Sequence, residues 1–133
     1  MDIDFIKERS ARMEEGSWQD NLPGFPGVRV KVRSSNCPSV RSAIAFALRS
    51  KSAEFVGGEL PKEVALDIDV EVFSTVGIVD WSGLTLGGEE FKFSEENAKD
   101  LLRGSWEFRD AVAIKMRIAA VSFEEQTEKI SGN

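Results

Sequence analysis

The chain has no histidine and no tyrosine in 133 residues, and its single cysteine is Cys37. Without histidine the commonest general acid/base and the commonest transition-metal ligand are missing, and neither a Ser-His nor a Cys-His nucleophile can be assembled. One cysteine allows no intramolecular disulfide and no ordinary Cys/His zinc site, and it suits a reducing compartment. Long apolar runs are absent as well, since nothing approaches the roughly 18 residues of a membrane span. The opening Met1-Asp2-Ile3-Asp4 is acidic and lacks an apolar core, so it does not read as a signal peptide. Positive charge is in the minority, with 17 basic against 23 acidic residues and a net charge of −6. That argues against nucleic-acid and anionic-membrane partners, whose affinity rests on Lys and Arg. No catalytic residue, cofactor-binding residue or metal ligand is expected. Proteins are the expected partners.

What remains is an ordinary globular composition, 41% hydrophobic and 30% charged. The length suits one domain over 1–133 that buries a core without staples. A helix is expected over 2–15 with Ile3, Phe5, Ile6 and Met13 as its apolar members, ended by Gly16-Ser17. A turn-rich loop through Leu22-Pro23-Gly24-Phe25-Pro26-Gly27 completes an N-terminal helix-and-loop extension, 1–27. Val28-Arg29-Val30-Lys31-Val32-Arg33 alternates apolar with basic, the signature of a strand with one wet face. Asn36-Cys37-Pro38 opens a helix, with proline in the first turn. Its apolar side is Val40, Ile44, Phe46-Ala47 and Leu48, and Arg41, Arg49 and Lys51 line another side.

Gly57-Gly58 breaks the chain and Pro61 restarts it. In 61–79 two periods compete. Val64, Leu66, Ile68, Val70 and Val72 alternate like a strand, while Val64, Ile68, Val72, Val76 and Val79 recur at helical spacing. The pattern alone leans to the strand. The runs 78–84 and 91–93 around Gly87-Gly88 read as a hairpin anchored by Trp81 and Phe93, to which 28–33 can add a third strand. Ser94 is an N-cap, and Glu95-Glu96 supply negative charge to the helix that follows, with Ala98, Leu101 and Leu102, up to Gly104. Ser105 caps a last helix carrying Phe108, Val112, Met116, Ala119-Ala120 and Phe123 at i, i+3/i+4 spacing. A polar tail, 124–133, closes the chain and frays at its end. The fold class is α+β, a helix-dominated single domain with a small antiparallel β-hairpin or three-stranded sheet.

Few groupings suggest chemistry. Asp67, Asp69 and Glu71 lack the glycine and the ligand offsets of a calcium loop, and read as a solvated face. Cys37 has no resolving cysteine and reads as structural. Gly83 and Gly87-Gly88 match no phosphate-binding pattern and read as turns. Trp81 and Trp106 are expected in the core. Trp18, aromatic in a polar loop, is the better contact for a partner. Arg29, Lys31 and Arg33 share one strand face that either meets an acidic partner or pairs with the chain's own carboxylates. Trp18, Arg29, Lys31 and Arg33 are therefore the candidate protein-binding residues.

The order of pieces from 73 to 102 resembles the tail assembly chaperones of long-tailed bacteriophages and prophages. The pieces are Ile78-Val79-Asp80-Trp81-Ser82-Gly83-Leu84, the Gly87-Gly88 turn, Phe93-Ser94-Glu95-Glu96-Asn97 and Leu101-Leu102. The alternating strand at 28–33 and the closing helix are similar too, so the likeness spans about 28–130. It implies that 62–78 is mainly helical, against the alternation. It also implies a non-enzymatic protein of the host bacterial cytoplasm that binds the tape measure protein, with the tail tube protein a further partner, and keeps it soluble while the tube assembles. Self-association along that fibre is a further expectation. The competing readings are a structural virion protein of the tail or neck, which would co-purify with particles, and a small enzyme or ligand-binding domain, which would need a deep pocket with convergent polar groups.

Overall fold

Alternation along the 28–33 segment sends Val30 and Val32 to one face, and both are fully buried. They belong to β2 (Arg29–Val32), the central strand of an antiparallel sheet of order β1-β2-β3, with β1 at Ser17–Gln19 and β3 at Ile78–Ser82. The computed structural model describes residues 1–55 and 57–131, with side chains as far as Ser122. Helix α1 (Ile3–Glu15) precedes the sheet, α2 (Pro38–Ser50) and α3 (Lys62–Val72) fall between β2 and β3, and α4 (Glu95–Gly104) and α5 (Trp106–Ser131) close the chain. A two-stranded hairpin, β4 (Thr85–Leu86) with β5 (Glu89–Glu90), stands between β3 and α4. The α+β architecture therefore holds, with both a three-stranded sheet and a small hairpin.

The hairpin is not the expected one. The run at 78–82 pairs with β2, not with 91–93, because Val30 and Val32 lie opposite Trp81 and Ile78 and complete one apolar face. Phe91 and Phe93 form no strand. Phe91 stacks on Trp81 at 5.7 Å between ring centroids, Phe93 meets it edge-on at 5.2 Å, and the Trp81 indole N–H donates to the Phe91 carbonyl at 2.7 Å. Helix α5 lays Phe108, Val112, Met116 and Ala119 against this core, all of them buried. Phe108 meets Trp81 and Phe25 edge-on at 6.0 and 5.5 Å. Trp106, expected in the core, is 67% exposed at the first position of α5. Two residues on, at about 100° per residue, Phe108 faces the opposite side of the helix.

The conflict over 62–78 resolves in favour of helix. α3 runs to Val72 and continues through a π-helical turn, Phe73–Gly77, directly into β3. The strand-like alternation has a helical cause. Val64, Ile68 and Val72 form one stripe at i, i+4 spacing, and buried Val70 lies on another face, so two sides of α3 are covered. Asp67 and Glu71 reach α4 and pair with Arg103 at 2.9 Å and Lys99 at 3.4 Å. These are exposed pairs of about 0–1 kcal/mol each.

The N-terminal extension is more than a helix and a loop. β1 sits inside it, and α1, which buries none of its residues, is tied down through its last turn. Gly16 ends α1 at φ +83, and a side chain there would come within 2.9 Å of the Val32 carbonyl oxygen. At the C-terminal end, the segment expected as a polar tail, 124–133, is helical as far as Ser131. Its side chains, the Phe123 side chain and the last two residues lie outside the described residues.

Candidate functional site

Each of the four residues expected to bind a partner has a definite place. The register sets Trp18 opposite Lys31, and Lys31 opposite Asp80, in one row across the outer face of the sheet. The Arg29 guanidinium lies 4.9 Å from the Trp18 ring centroid and also pairs with Asp20. Trp18 is on edge strand β1, not in a loop, and is 38% exposed. Three of the four, Trp18, Arg29 and Lys31, thus come together.

Arg33 departs from them. Its Nε donates to the Glu14 carbonyl at 2.6 Å and one terminal nitrogen donates to the Val76 carbonyl at 2.8 Å, so it fastens α1 and the π-helical turn to the end of the sheet. Both arginines of the face meet the chain's own carboxylates, Arg29 with Asp20 and Arg33 with Glu14.

Glu14 joins a second structural cluster. Cys37 occupies the N-cap position of α2 but makes no side-chain cap. The Glu14 carboxylate does that work from another helix. It accepts from the Ser39 hydroxyl and backbone N–H and from the Cys37 thiol at 3.3 Å, supplying negative charge at the positive end of α2. Hydrogen bonding from Ser39, then from Cys37, holds the Glu14 carboxyl below its ordinary 4.5. Burial pushes the Cys37 thiol up, against a reactive role and in keeping with a structural one.

A lowered carboxyl pKa stabilises the fold above the unfolded value, and that contribution disappears as pH falls through the folded one. The stability advantage of the wild type over Glu14→Gln in urea melts is therefore expected to be constant above about pH 5 and to shrink steadily below 4.5. A difference that does not change between about pH 3 and pH 7 would show that the Glu14 charge does not cap α2.

The surface best shaped for a partner is elsewhere, on α2. Of the apolar side read from its sequence, only Val40 is buried. Phe46 is 66% exposed, and Ile44 and Leu48 also reach solvent. Beside Phe46 runs a groove of about 530 Å³, floored by Ala43, Ala47, Ile68 and Val72 between α2 and α3. Its rim carries Lys51, Asp67, Glu71 and Arg103. Sequence periodicity finds this stripe without saying whether the chain covers it. The missed signal was composition, because α2 carries two arginines and three serines around the stripe. A smaller groove of about 310 Å³ passes Met13, Trp18 and Ala119 at the other end of the sheet.

Asp69, the third acid of α3, lies beside exposed Trp106 and Arg109 in a shallow depression. Packing raises its carboxyl above the ordinary range, with Arg109 opposing. No group of three or more Cys, Asp or Glu is placed to hold a metal ion among the described residues. Likewise, no helix among them is long and apolar enough to cross a membrane.

Fold and groove together define a small α+β domain with a helix-lined apolar channel open to solvent. The chain belongs to the YdaY prophage protein family, whose model matches residues 35–133. The matched span begins just after β2, yet β2 supplies the fully buried Val30 and Val32 at the centre of the sheet. No curated protein and no solved structure matches the chain.

Proposed function

We propose that this prophage protein is a tail assembly chaperone. In this reading it works without catalysis in the host cytoplasm and covers apolar helical segments of the tape measure protein until the tail tube closes round them. The observation that carries the reading is the open groove beside Phe46, lined by apolar and small residues of α2 and α3. A helix laid into such a channel buries an i, i+3, i+4 stripe against it, the usual geometry of helix-in-groove recognition. Prophage membership and the order of motifs from Trp81 to Leu102 support it. The tail tube protein and further copies of the chain fit as secondary partners. The absence of histidine favours binding over catalysis.

The test is co-expression with the tape measure protein of the same prophage. Wild-type chain is expected to keep it soluble and to co-elute with it. Phe46→Ala is expected to weaken the complex about 30-fold, the effect of losing an anchor of about 2 kcal/mol. A tape measure protein that stays insoluble, with the chain instead found in purified particles, would replace this reading by that of a structural tail or neck protein.

A further inference from the structure

We propose that the groove beside β1 takes an extended peptide segment of a partner protein as a fourth strand, with a small polar side chain of that segment meeting Ser34. This groove shares no lining residue with the one beside Phe46, and the proposal does not rest on the chaperone reading. β1 is an outer strand of the sheet, whose order is β1-β2-β3. An outer strand presents backbone N–H and C=O groups that have no ladder partner. Apart from the pairing with β2, no backbone hydrogen bond reaches Ser17, Trp18 or Gln19 among the described residues. The register ties the groove to that open edge. Trp18 pairs with Lys31 and lies on the outer face, whereas Ser17 and Gln19 pair with Val32 and Val30 and share their buried face. All three nevertheless line one groove of about 310 Å³. A cavity over a single face would meet alternate residues only, so this one follows the edge. Met13 at the end of α1 and Ala119 of α5 also line it, which makes the edge a recess. A recess between helices admits one extended segment and holds off the sheet edge of a second folded copy.

Ser34 is the second, independent observation. It is 5% exposed and lines the same groove. Among the described residues, its hydroxyl is the only buried side-chain polar atom without a hydrogen-bond partner. Buried hydroxyls are nearly always paired, and one left open at a groove is completed by a bound group. Alternation along the added strand then sets the chemistry of the occupant. Its side chains on the buried side meet Ser34 and Ser17, which calls for Ser, Thr or Asn. Those on the outer side stand beside Trp18, which is 38% exposed and suits a β-branched or aromatic neighbour. Main-chain hydrogen bonds supply the affinity and the two side-chain positions supply the selectivity, as in other cases of strand addition.

The experiment uses the full chain and three labelled peptides of about eight residues with identical flanks, followed by fluorescence anisotropy. The first alternates Thr with Val, and the second alternates Ala with Val. The third is the Thr/Val peptide with every central amide N-methylated, which removes its ladder donors. The Thr/Val peptide is expected to bind about fivefold tighter than the Ala/Val peptide, the worth of one hydrogen bond. N-methylation should weaken binding at least about tenfold. Ser34→Ala should abolish the margin between the first two peptides without lowering the urea midpoint of the free chain, because the hydroxyl it removes has no partner there. Trp18→Ala should weaken both peptides, and circular dichroism checks that each variant folds. Equal binding of the N-methylated peptide, or no saturable binding of the Thr/Val peptide up to about 1 mM, overturns strand addition. A Thr/Val margin that survives Ser34→Ala, or a midpoint that falls in that variant, overturns the assignment of Ser34.

Discussion

Phe108→Ala is expected to destabilise the fold by about 3–5 kcal/mol, the range for emptying a large aromatic site. Phe108 is fully buried and sits where four parts of the chain meet. Its ring meets Phe25 of the turn-rich loop and Trp81 of β3, and Trp81 in turn holds Phe91 and Phe93 ahead of α4. Truncation removes the transfer free energy of the ring and leaves a cavity that a strand, a loop and a helix cannot all move to fill. Against a total stability of about 5–15 kcal/mol, the loss takes a large part of the fold's margin. Urea denaturation should show the midpoint falling with an unchanged slope. Trp106→Ala, two positions earlier and 67% exposed, should change stability by no more than about 0.5 kcal/mol. A Phe108→Ala loss below about 1.5 kcal/mol would mean that the aromatic cluster is not the centre of the core.

The second large effect is expected at Gly83, where β3 turns toward the hairpin. Its φ is +91, and a side chain built there would overlap the carbonyl oxygen of Gly27, which is main chain and cannot swing aside. Gly83→Ala therefore combines left-handed strain of about 1–2 kcal/mol with a backbone clash, together about 3 kcal/mol. Gly87 separates the two terms. It has φ +60 at the hairpin tip, and nothing lies within 4 Å of an added Cβ. Gly87→Ala should cost only the conformational part, about 1 kcal/mol. Thermal melts of the two variants measure the difference, and equal losses would show that the approach of Gly83 to Gly27 does not matter to the fold.

How much of this could be read beforehand depended on whether the deciding interaction was local. Pro38 in the first turn of α2, and Ser94 accepting from the Asn97 N–H at 3.0 Å, act within a few residues, and both helix starts are where the sequence puts them. The closing helix repeats its apolar stripe often enough that its core residues Phe108, Val112 and Met116 were evident from spacing. By contrast, the alternation in α3 looked like a strand because burial on two helix faces imitates a period of two. The partner of β3 was misplaced for a related reason. A turn suggests the nearest run as its mate, whereas the pairing that forms joins 29–32 with 78–82 across two helices.

The candidate site divides along the same line. Strand period alone puts Arg29 and Lys31 on one face, whereas Trp18 stands beside them only because 17–19 forms a strand that pairs with β2. That Arg33 leaves this face to bond Glu14 and Val76 depends on where α1 and the π-helical turn come to rest, and nothing near Arg33 in sequence encodes it. The open face of α2 belongs to the same kind. An apolar stripe says that something will cover a helix, not whether the cover lies in the same chain.

By itself, the sequence determined the helices other than α3, the local caps at Ser94 and Ser105, the acidic charge, the single cysteine and the absence of histidine chemistry. These follow from composition and from interactions a few residues long. Only the tertiary structure decided that β2 is the central strand, that Trp106 stays in solvent, that Glu14 caps a helix it does not belong to, and that Phe46 stands beside an open groove. Each of these depends on which distant segment fills the space beside a residue, and packing settles that for the whole chain at once.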